Sequence, residues 1–521
     1  MSDTAQQDWQ PSYNPWLVAI VVTLGAFMEV LDTTIVNVSL PHIAGSLSVS
    51  SDQSTWTLTT YLVANGIVLT ISGSLSRHLG RKRYFMICLA GFTACSLGCG
   101  ISDQFWEILV FRMLQGFFGG GLQPTQQSII LDVFPPAKRQ AAFSLTAIAI
   151  IIAPVIGPVL GGYLTDTYSW HWIFLINIPI GLMTLFGVWQ VVEDPPYLEE
   201  QKRTAPPFNY LGVFFIAIAL GCMEVGTDRG EDYDWLDSTF IQVMFISSAA
   251  AYLFGSAYLL YARHPVVDLR VFKDRNFALG TLEIGIMGFV LYASAVLIPQ
   301  FAQEQLSYTS YWAGLVLAPG GVVLALLIPV TGRIMAFIPT KYIIATGGLA
   351  LSAALYYSMH LVPDMDFRTL AIMRAAQTAA LALLFVPIST VTYATIPQEL
   401  NGDATALFTM ARNVFGGIGI SVSTALITDH QQMRQADMVH TLTPTYQPYN
   451  VLLQQVQHAL VSTGQSVAQA MQQAPGQVFQ MLRGQAGVLA YSDVFFITGL
   501  MALAIIPAAL FMTSKPSESK G

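Results

Sequence analysis

Glu29 and Asp32 stand three residues apart inside an apolar run, Trp16–Leu40, that is long enough to cross a bilayer. A carboxylate near the centre of such a helix costs about 3 kcal/mol on insertion scales, and side chains at this spacing share a face. Acids carried into lipid at that cost usually face a cavity and handle ions or substrate. Proton-coupled transport is therefore the chemistry this pair points to. Arg112 lies seven residues into another apolar run that starts at Phe105, and eight residues separate Asp32 from Pro41, read as the outer end of its helix. At about 1.5 Å per residue both sit roughly 11–12 Å below the outer surface, level enough to pair. An arginine steadies the carboxylate charge and a low dielectric opposes it; an acid held between the two can load and release a proton. The alternative is a permanent structural bridge. Glu29, one turn deeper, is placed to meet a cationic substrate or to share the proton.

The elements that must position these side chains are membrane helices. Of 521 residues, 54% are hydrophobic and 10% charged, against roughly 25% charged in soluble proteins. Apolar runs of about 20 residues predict fourteen spans, beginning near Trp16, Ser54, Tyr84, Phe105, Gln140, His171, Asn209, Thr239, Asn276, Tyr311, Lys341, Arg368, Ala404 and Ser492. With the N-terminus inside, cytoplasmic loops and the C-terminal tail carry 16 of the 23 Lys and Arg, and outer loops carry four (Arg229, Arg368, Arg434 and Arg483). That bias puts both termini in the cytoplasm. Residues 1–15 hold no Lys or Arg, and the first run is too long for a cleaved signal, so it is expected to stay as a helix. Cys88, Cys95, Cys99 and Cys222 all fall in apolar runs without ligand or disulfide spacing and read as inert.

Two segments break the pattern. Glu193–Phe208, with Pro195, Pro196, Pro206 and Pro207, reads as a cytoplasmic linker. His430–Ala490, rich in Gln and Ala, reads as an outer loop with a helical stretch at Val451–Met471, either a solvated hairpin or a docking surface. The fourth and twelfth spans also match in register. Arg112-x-x-Gln115 corresponds to Arg374-x-x-Gln377, and Pro135/Pro397, Leu145/Leu407 and Gly157/Gly419 follow at offsets of 23, 33 and 45. A parallel repeat of two six-helix bundles results, with two helices inserted between them and a substrate site near mid-membrane. The divisions are 1–193 for the first bundle, 194–262 for the linker and inserted helices, and 263–521 for the second bundle with its 430–490 loop.

With these features in place, the chain resembles the major facilitator superfamily along nearly all its length, and more closely its fourteen-helix drug:proton antiporter branch of EmrB/QacA type. Leu31–Pro41 (LDTTIVNVSLP) is similar to that branch's first-helix signature, Ile108–Gly121 to the fourth-helix arginine motif, and Ala153–Gly162 (APVIGPVLGG) to the fifth-helix antiporter motif. Gly73–Arg83 (GSLSRHLGRKR) resembles the loop between helices two and three, the cytoplasmic gate, where Gly73, Arg77, Gly80 and Arg81 fall on motif positions. One departure stands out: the loop usually carries an Asp where this chain has Arg77, so the acidic latch is absent or supplied from elsewhere. The resemblance implies an all-α membrane protein with a cavity lined by spans one, four, nine and twelve. Glu29, Asp32, Arg112, Gln115, Glu283 and Arg374 lie on those four spans. Gly157, Pro158, Gly161 and Gly162 then make a hinge and a tight seam, where bare helix packing is the plainer reading. Glu224 and Arg412 read mainly as structural, Arg412 as a brace near the cytoplasmic gate.

Nothing in the sequence offers a nucleotide loop, a metal cluster, a nucleophile or a basic nucleic-acid patch. No cofactor and no enzymatic activity are expected. The expected function is proton-coupled multidrug efflux across a bacterial inner membrane. The resemblance also implies a periplasmic membrane-fusion adaptor and an outer-membrane channel as partners. A dedicated exporter of one metabolite class (siderophore, fatty acid or antibiotic) and a non-transporting sensor or scaffold are the alternatives.

Overall fold

The computed structural model describes residues 11–203, 207–230 and 233–513. The polar stretch 1–10, Pro206 of the linker and the tail from 514 onward lie outside the described residues. Every regular element among the described residues is a helix. The first half contains α1 (Pro15–Leu47), α2 (Ser51–Leu79), α3 (Arg81–Gly100), α4 (Phe105–Gly119), α5 (Leu122–Val133), α6 (Pro136–Thr167), α7 (Trp172–Leu175) and α8 (Asn177–Val191). A short linker helix, α9 (Pro196–Arg203), precedes the inserted pair, α10 (Tyr210–Asp228) and α11 (Thr239–Tyr261). The second half contains α12 (Arg275–Glu304), α13 (Ser310–Leu315), α14 (Ala318–Ile334), α15 (Thr340–Ser358), α16 (Phe367–Ala382), α17 (Phe385–Thr392) and α18 (Asn401–Val439). It ends with α19 (Gln447–Ser462), α20 (Val467–Leu503) and α21 (Ile505–Phe511).

Among the described residues, eleven helical stretches are long and apolar enough to cross a bilayer, and α6, bent by 40° between Pro154 and Ile156, makes a twelfth. The sequence count of fourteen adds Phe105–Val133 and Thr340–Ser358, which are helical but fall outside those twelve. Phe105–Val133 is diluted by Glu107, Arg112, Asp132 and four glutamines, of which Arg112, Gln115 and Gln123 build the site. Helix α1 continues past Pro41 to Leu47, so Pro41 is not the end of the helix as its sequence position suggested. The gate segment is likewise less of a loop than expected. Gly73–Leu79 is the last two turns of α2, and Gly80 alone, at φ +85°, makes the turn into α3. That left-handed value favours glycine.

Helix α1 packs on α6 in the first half as α12 packs on α18 in the second, and α6 also meets α13, α14 and α17 across the divide. The inserted α10 lies along the seam, against α2 of one half and α18 of the other. Helix α18 has 39 residues and α20 has 37, each more than 50 Å long at about 1.5 Å per residue. Both exceed the roughly 30 Å hydrocarbon core, so their distal turns project beyond it. Asp493 clamps them together there, accepting from His430 Nδ1 at 3.0 Å and from two nitrogens of Arg434 at 2.9–3.1 Å. Val456 and Leu460 of α19 pack with Ala470, Ala474 and Val478 of α20 in a small separate core. The projecting segment is therefore a packed helical hairpin rather than a loose loop.

Candidate functional site

Asp32 and Arg112 are both wholly buried, and Arg112 Nη1 lies 2.6 Å from Asp32 Oδ2. The other carboxylate oxygen accepts from Gln115 Nε2 at 2.9 Å and Asn177 Nδ2 at 2.7 Å. Gln115 sits one turn after Arg112 on α4, takes a bond from its Nη1 at 2.8 Å, and donates to Ser96 Oγ of α3 at 2.6 Å. Arg112 Nε donates to the Thr57 carbonyl of α2 at 3.0 Å, and its guanidinium lies 4.2 Å from the centre of the Tyr61 ring. Five helices thus enclose one ion pair whose carboxylate is held by three donors. Such a pair is costly to break from one side, by about 3–5 kcal/mol, because the abandoned charge stays buried.

Glu29 is a separate centre on the same helix. Its Oε1 accepts from Asn65 Nδ2 at 2.9 Å and Tyr61 OH at 3.3 Å, and its Oε2 accepts from Gln123 Nε2. Tyr61 therefore touches both acids' surroundings, with its ring on Arg112 and its hydroxyl on Glu29. Gln123 in turn accepts from Arg412 Nη2 of α18, across the boundary between the halves. Arg412 is fully buried eleven residues into α18, so it does not reach toward a surface but ties the second half to Glu29 through Gln123. Asn65, Tyr61, Gln123, Ser96 and Asn177 were all missed in sequence. Each is polar within an apolar run, but none is charged.

Glu283 and Arg374 are not brought to this centre. Arg374, on α16, donates to Ser294 Oγ of α12 at 2.8 Å and to Gln377 Oε1 at 3.3 Å. Glu283 is buried on α12, and neither carboxylate oxygen has a hydrogen-bond partner among the described residues. Glu224, at the seam, borders Leu62, Val63 and Gly66 of α2 and Val414 of α18.

The antiporter segment forms a seam within the first half. A Cβ on Gly157 would collide with Thr34, and one on Gly161 would stand 2.7 Å from the Ile35 carbonyl, so α6 meets α1 directly beside Asp32. Pro154 and Pro158 lie inside the bent α6, and Val159 on another face meets Gly314 of α13 in the second half. Gly162 is buried in the same helix.

At the basic end, which holds Arg77, Arg81, Lys82 and Arg83, the two halves are fastened. Arg77 pairs with Asp403 of α18 at 2.7 Å. Gly73 packs against Gly402, Ser128 shares a 2.7 Å bond with Thr405, and Tyr393 donates to Gln127 at 2.9 Å. The acid missing from the α2–α3 motif is therefore supplied by the other half, with the charges exchanged. Arg81 pairs instead with Asp132 of its own half and donates to Tyr197 of α9 at 2.9 Å. Asp194, just before α9, accepts from the Lys82 amide at 2.8 Å, and burial holds its carboxyl above the usual range.

Two like bundles, a buried acid–arginine centre in one of them and a fastened end define a membrane transporter. The profile described as Major Facilitator Superfamily matches residues 22–428, and the chain belongs to that superfamily. It is 32% identical to the multidrug export protein EmrB of Escherichia coli strain K12 over 506 residues, covering 97% of this chain and 96% of that one. It is 31% identical to the fatty acid resistance protein FarB of Neisseria gonorrhoeae, covering 99% of each. Among solved structures, the proton:xylose symporter XylE superposes with a TM-score of 0.59 at 14% identity, over 96% of this chain and 95% of that one. This last likeness bears on the fold alone.

Proposed function

We propose that the protein is a proton-coupled exporter of amphipathic toxic compounds, working by alternating access between residues 1–193 and 263–521. The observation that carries the reading is the fully buried Asp32–Arg112 pair, an acid held out of water at a cost that a protonation cycle would justify. Relatives named for multidrug export supply the direction of transport. Fourteen spans with both termini and the basic end in the cytoplasm fit the Lys/Arg bias. In the inner membrane of a Gram-negative cell, the α18–α19–α20 hairpin then projects into the periplasm, where a membrane-fusion adaptor and an outer-membrane channel would complete the path.

The coupling follows from the bonds. A proton on Asp32 removes the charge that holds Arg112 Nη1, and Arg112 then leans on Tyr61 and Gln115. Tyr61 carries the change to Glu29, and Gln123 passes it to Arg412 across the halves. Substrate entering near Glu29 competes for the same donors, so proton and substrate favour opposite arrangements. Arg77–Asp403 fastens the cytoplasmic side while the outer side accepts the proton.

Everted vesicles test this. With an imposed pH gradient, Asp32→Asn should bring efflux down to the level of vesicles lacking the protein, while the protein still inserts with a lowered Tm, since Arg112 loses its buried counter-ion. Gradient-driven efflux by that variant at the parental rate would remove Asp32 from the coupling role. The FarB likeness favours a second reading, a dedicated exporter of fatty-acid-like amphiphiles. A panel of dissimilar compounds separates the two, since resistance confined to one chemotype sinks multidrug export.

A further inference from the structure

The second half contains a copy of the Asp32–Arg112 cage with its acid removed. Arg112, Gln115, Ser96 and Asp32 each have a counterpart 262 positions later: Arg374, Gln377, Ser358 and Ser294. The bonds are copied with the residues. Arg374 Nη1 donates to Ser294 as Arg112 Nη1 donates to Asp32, and to Gln377 as Arg112 does to Gln115. Gln377 Nε2 donates to Ser358 Oγ at 2.8 Å, matching Gln115 to Ser96 at 2.6 Å. What differs is the charge. At the position of a carboxylate with two acceptor oxygens stands one hydroxyl, itself 3.2 Å from the Leu291 carbonyl as donor.

Arg374 is thereby left with a full charge and no acid. It is wholly buried, it makes no ion pair among the described residues, and its Nε and Nη2 have no acceptor. Arginine does not shed its proton to escape such a site. An uncompensated ion held out of water is among the costliest features a fold can carry, and buried charges are ordinarily paired. Arg112 Nη2 likewise has no acceptor, so what sets Arg374 apart is its unbonded Nε, where Arg112 Nε reaches the Thr57 carbonyl, and the hydroxyl that stands for the carboxylate.

We propose that this cage binds a monovalent anion on the unbonded Nε and Nη2 edge of Arg374, beside the Ser294 hydroxyl that stands at the Asp32 position. The anion is a halide from solution or the carboxylate of an acidic amphiphile. Either neutralises Arg374 by accepting from its Nε and Nη2. The site is distinct from the Asp32 centre and holds whichever way protons and cargo are coupled.

The test uses the purified full-length protein, read by thermal unfolding at fixed ionic strength. Replacing gluconate by chloride should raise the parent's Tm by about 2–4 °C. Ser294→Asp should restore an internal counter-ion, raise the Tm in gluconate and abolish the chloride response. Ser294→Asn, of the same size but uncharged, should keep that response. If the source is cargo, chloride does nothing to the parent, whereas decanoate below its micellar concentration raises the Tm, decanamide does not, and Ser294→Asp erases the difference. A parent insensitive to both anions, or a Ser294→Asp protein that responds as the parent does, overturns the proposal. Neither result depends on efflux, so failure here is separate from failure of the transport reading.

Discussion

Arg77–Asp403 gives the sharpest test of the gate. The two charges meet at 2.7 Å across the halves, with the Asp403 side chain 2% exposed and that of Arg77 22% exposed. Unit charges about 4 Å apart at an effective dielectric near 20 attract by about 4 kcal/mol. The partial exposure of Arg77 screens that value, and about 2 kcal/mol remains as a working figure. On the alternating-access reading the pair exists only while the basic end is closed, so Arg77→Gln should raise the open population by about 30-fold, at 1.4 kcal/mol per tenfold. Thr405 is the reporter position. It is fully buried in the closed gate, bonded to Ser128. In a background without the four native cysteines, Thr405→Cys in everted vesicles should react with an impermeant thiol reagent about 30 times faster when Arg77→Gln is added. The exchanged pair Arg77→Asp/Asp403→Arg should return the rate toward the parent, while Arg77→Asp alone should exceed Arg77→Gln. Labelling that ignores Arg77→Gln, or an exchanged pair that labels as fast as Arg77→Asp, refutes the latch.

Two further outcomes follow from contacts. Gly161→Ala places a methyl 2.7 Å from the Ile35 carbonyl and should cost about 1–3 kcal/mol, seen as a lower Tm. Gly66→Ala meets nothing within 4 Å and should be neutral or stabilise α2 by about 0.5–1 kcal/mol, so equal effects of the two would contradict the seam. Tyr61→Phe keeps the ring over Arg112 and loses the hydroxyl to Glu29, so efflux should fall less than about tenfold. Tyr61→Leu loses both and should fall further, by roughly another 0.5–2 kcal/mol of cation–π contact. Equal rates in the two Tyr61 variants would show that the ring does not hold Arg112.

Asp32 and Arg112 were legible in sequence because a charge in an apolar run is costly enough to demand a reason. The count that set them level took Pro41 as the outer end of α1; the two do pair, but α1 runs on to Leu47, so that count does not give their depth. The neutral members of the cage were not legible. Asn177, Ser96 and Tyr61 cost little in a membrane helix, and α8, α3 and α2 each carry other polar residues of no consequence. Gln123 and Arg412 join only because the halves meet, and their separation of 289 residues leaves no local signal. Asp403 escaped for the same reason. A departure from the family motif at Arg77 marked the place where compensation was needed, but only the packing of α2 on α18 shows where it comes from. Conversely, a helix-breaking pattern after Leu40 suggested an early end to α1, and tertiary packing carried the helix through it.

On the proposed reading of Asp32, the repeat accounts for a proton site in one half and none at the matching place in the other. Duplication copied an arginine, a glutamine and a serine with their bonds intact, so the helices around Arg374 keep the spacing of those around Arg112. Two acid–arginine cages would each load a proton, and both would have to empty before the halves could exchange faces. With Ser294 in place of the second acid, only the first cage carries a carboxylate, and the second arginine keeps its charge throughout. With its anion bound the second cage keeps one charge state throughout, while the Asp32 centre gains or loses a charge with its proton, and that difference between the halves gives rocking an electrostatic bias. Ser294→Asp therefore reaches beyond the anion site. By making the halves electrostatically alike it should also weaken the dependence of efflux on the gradient, and a variant that stays tightly coupled would show that the asymmetry is inherited rather than used.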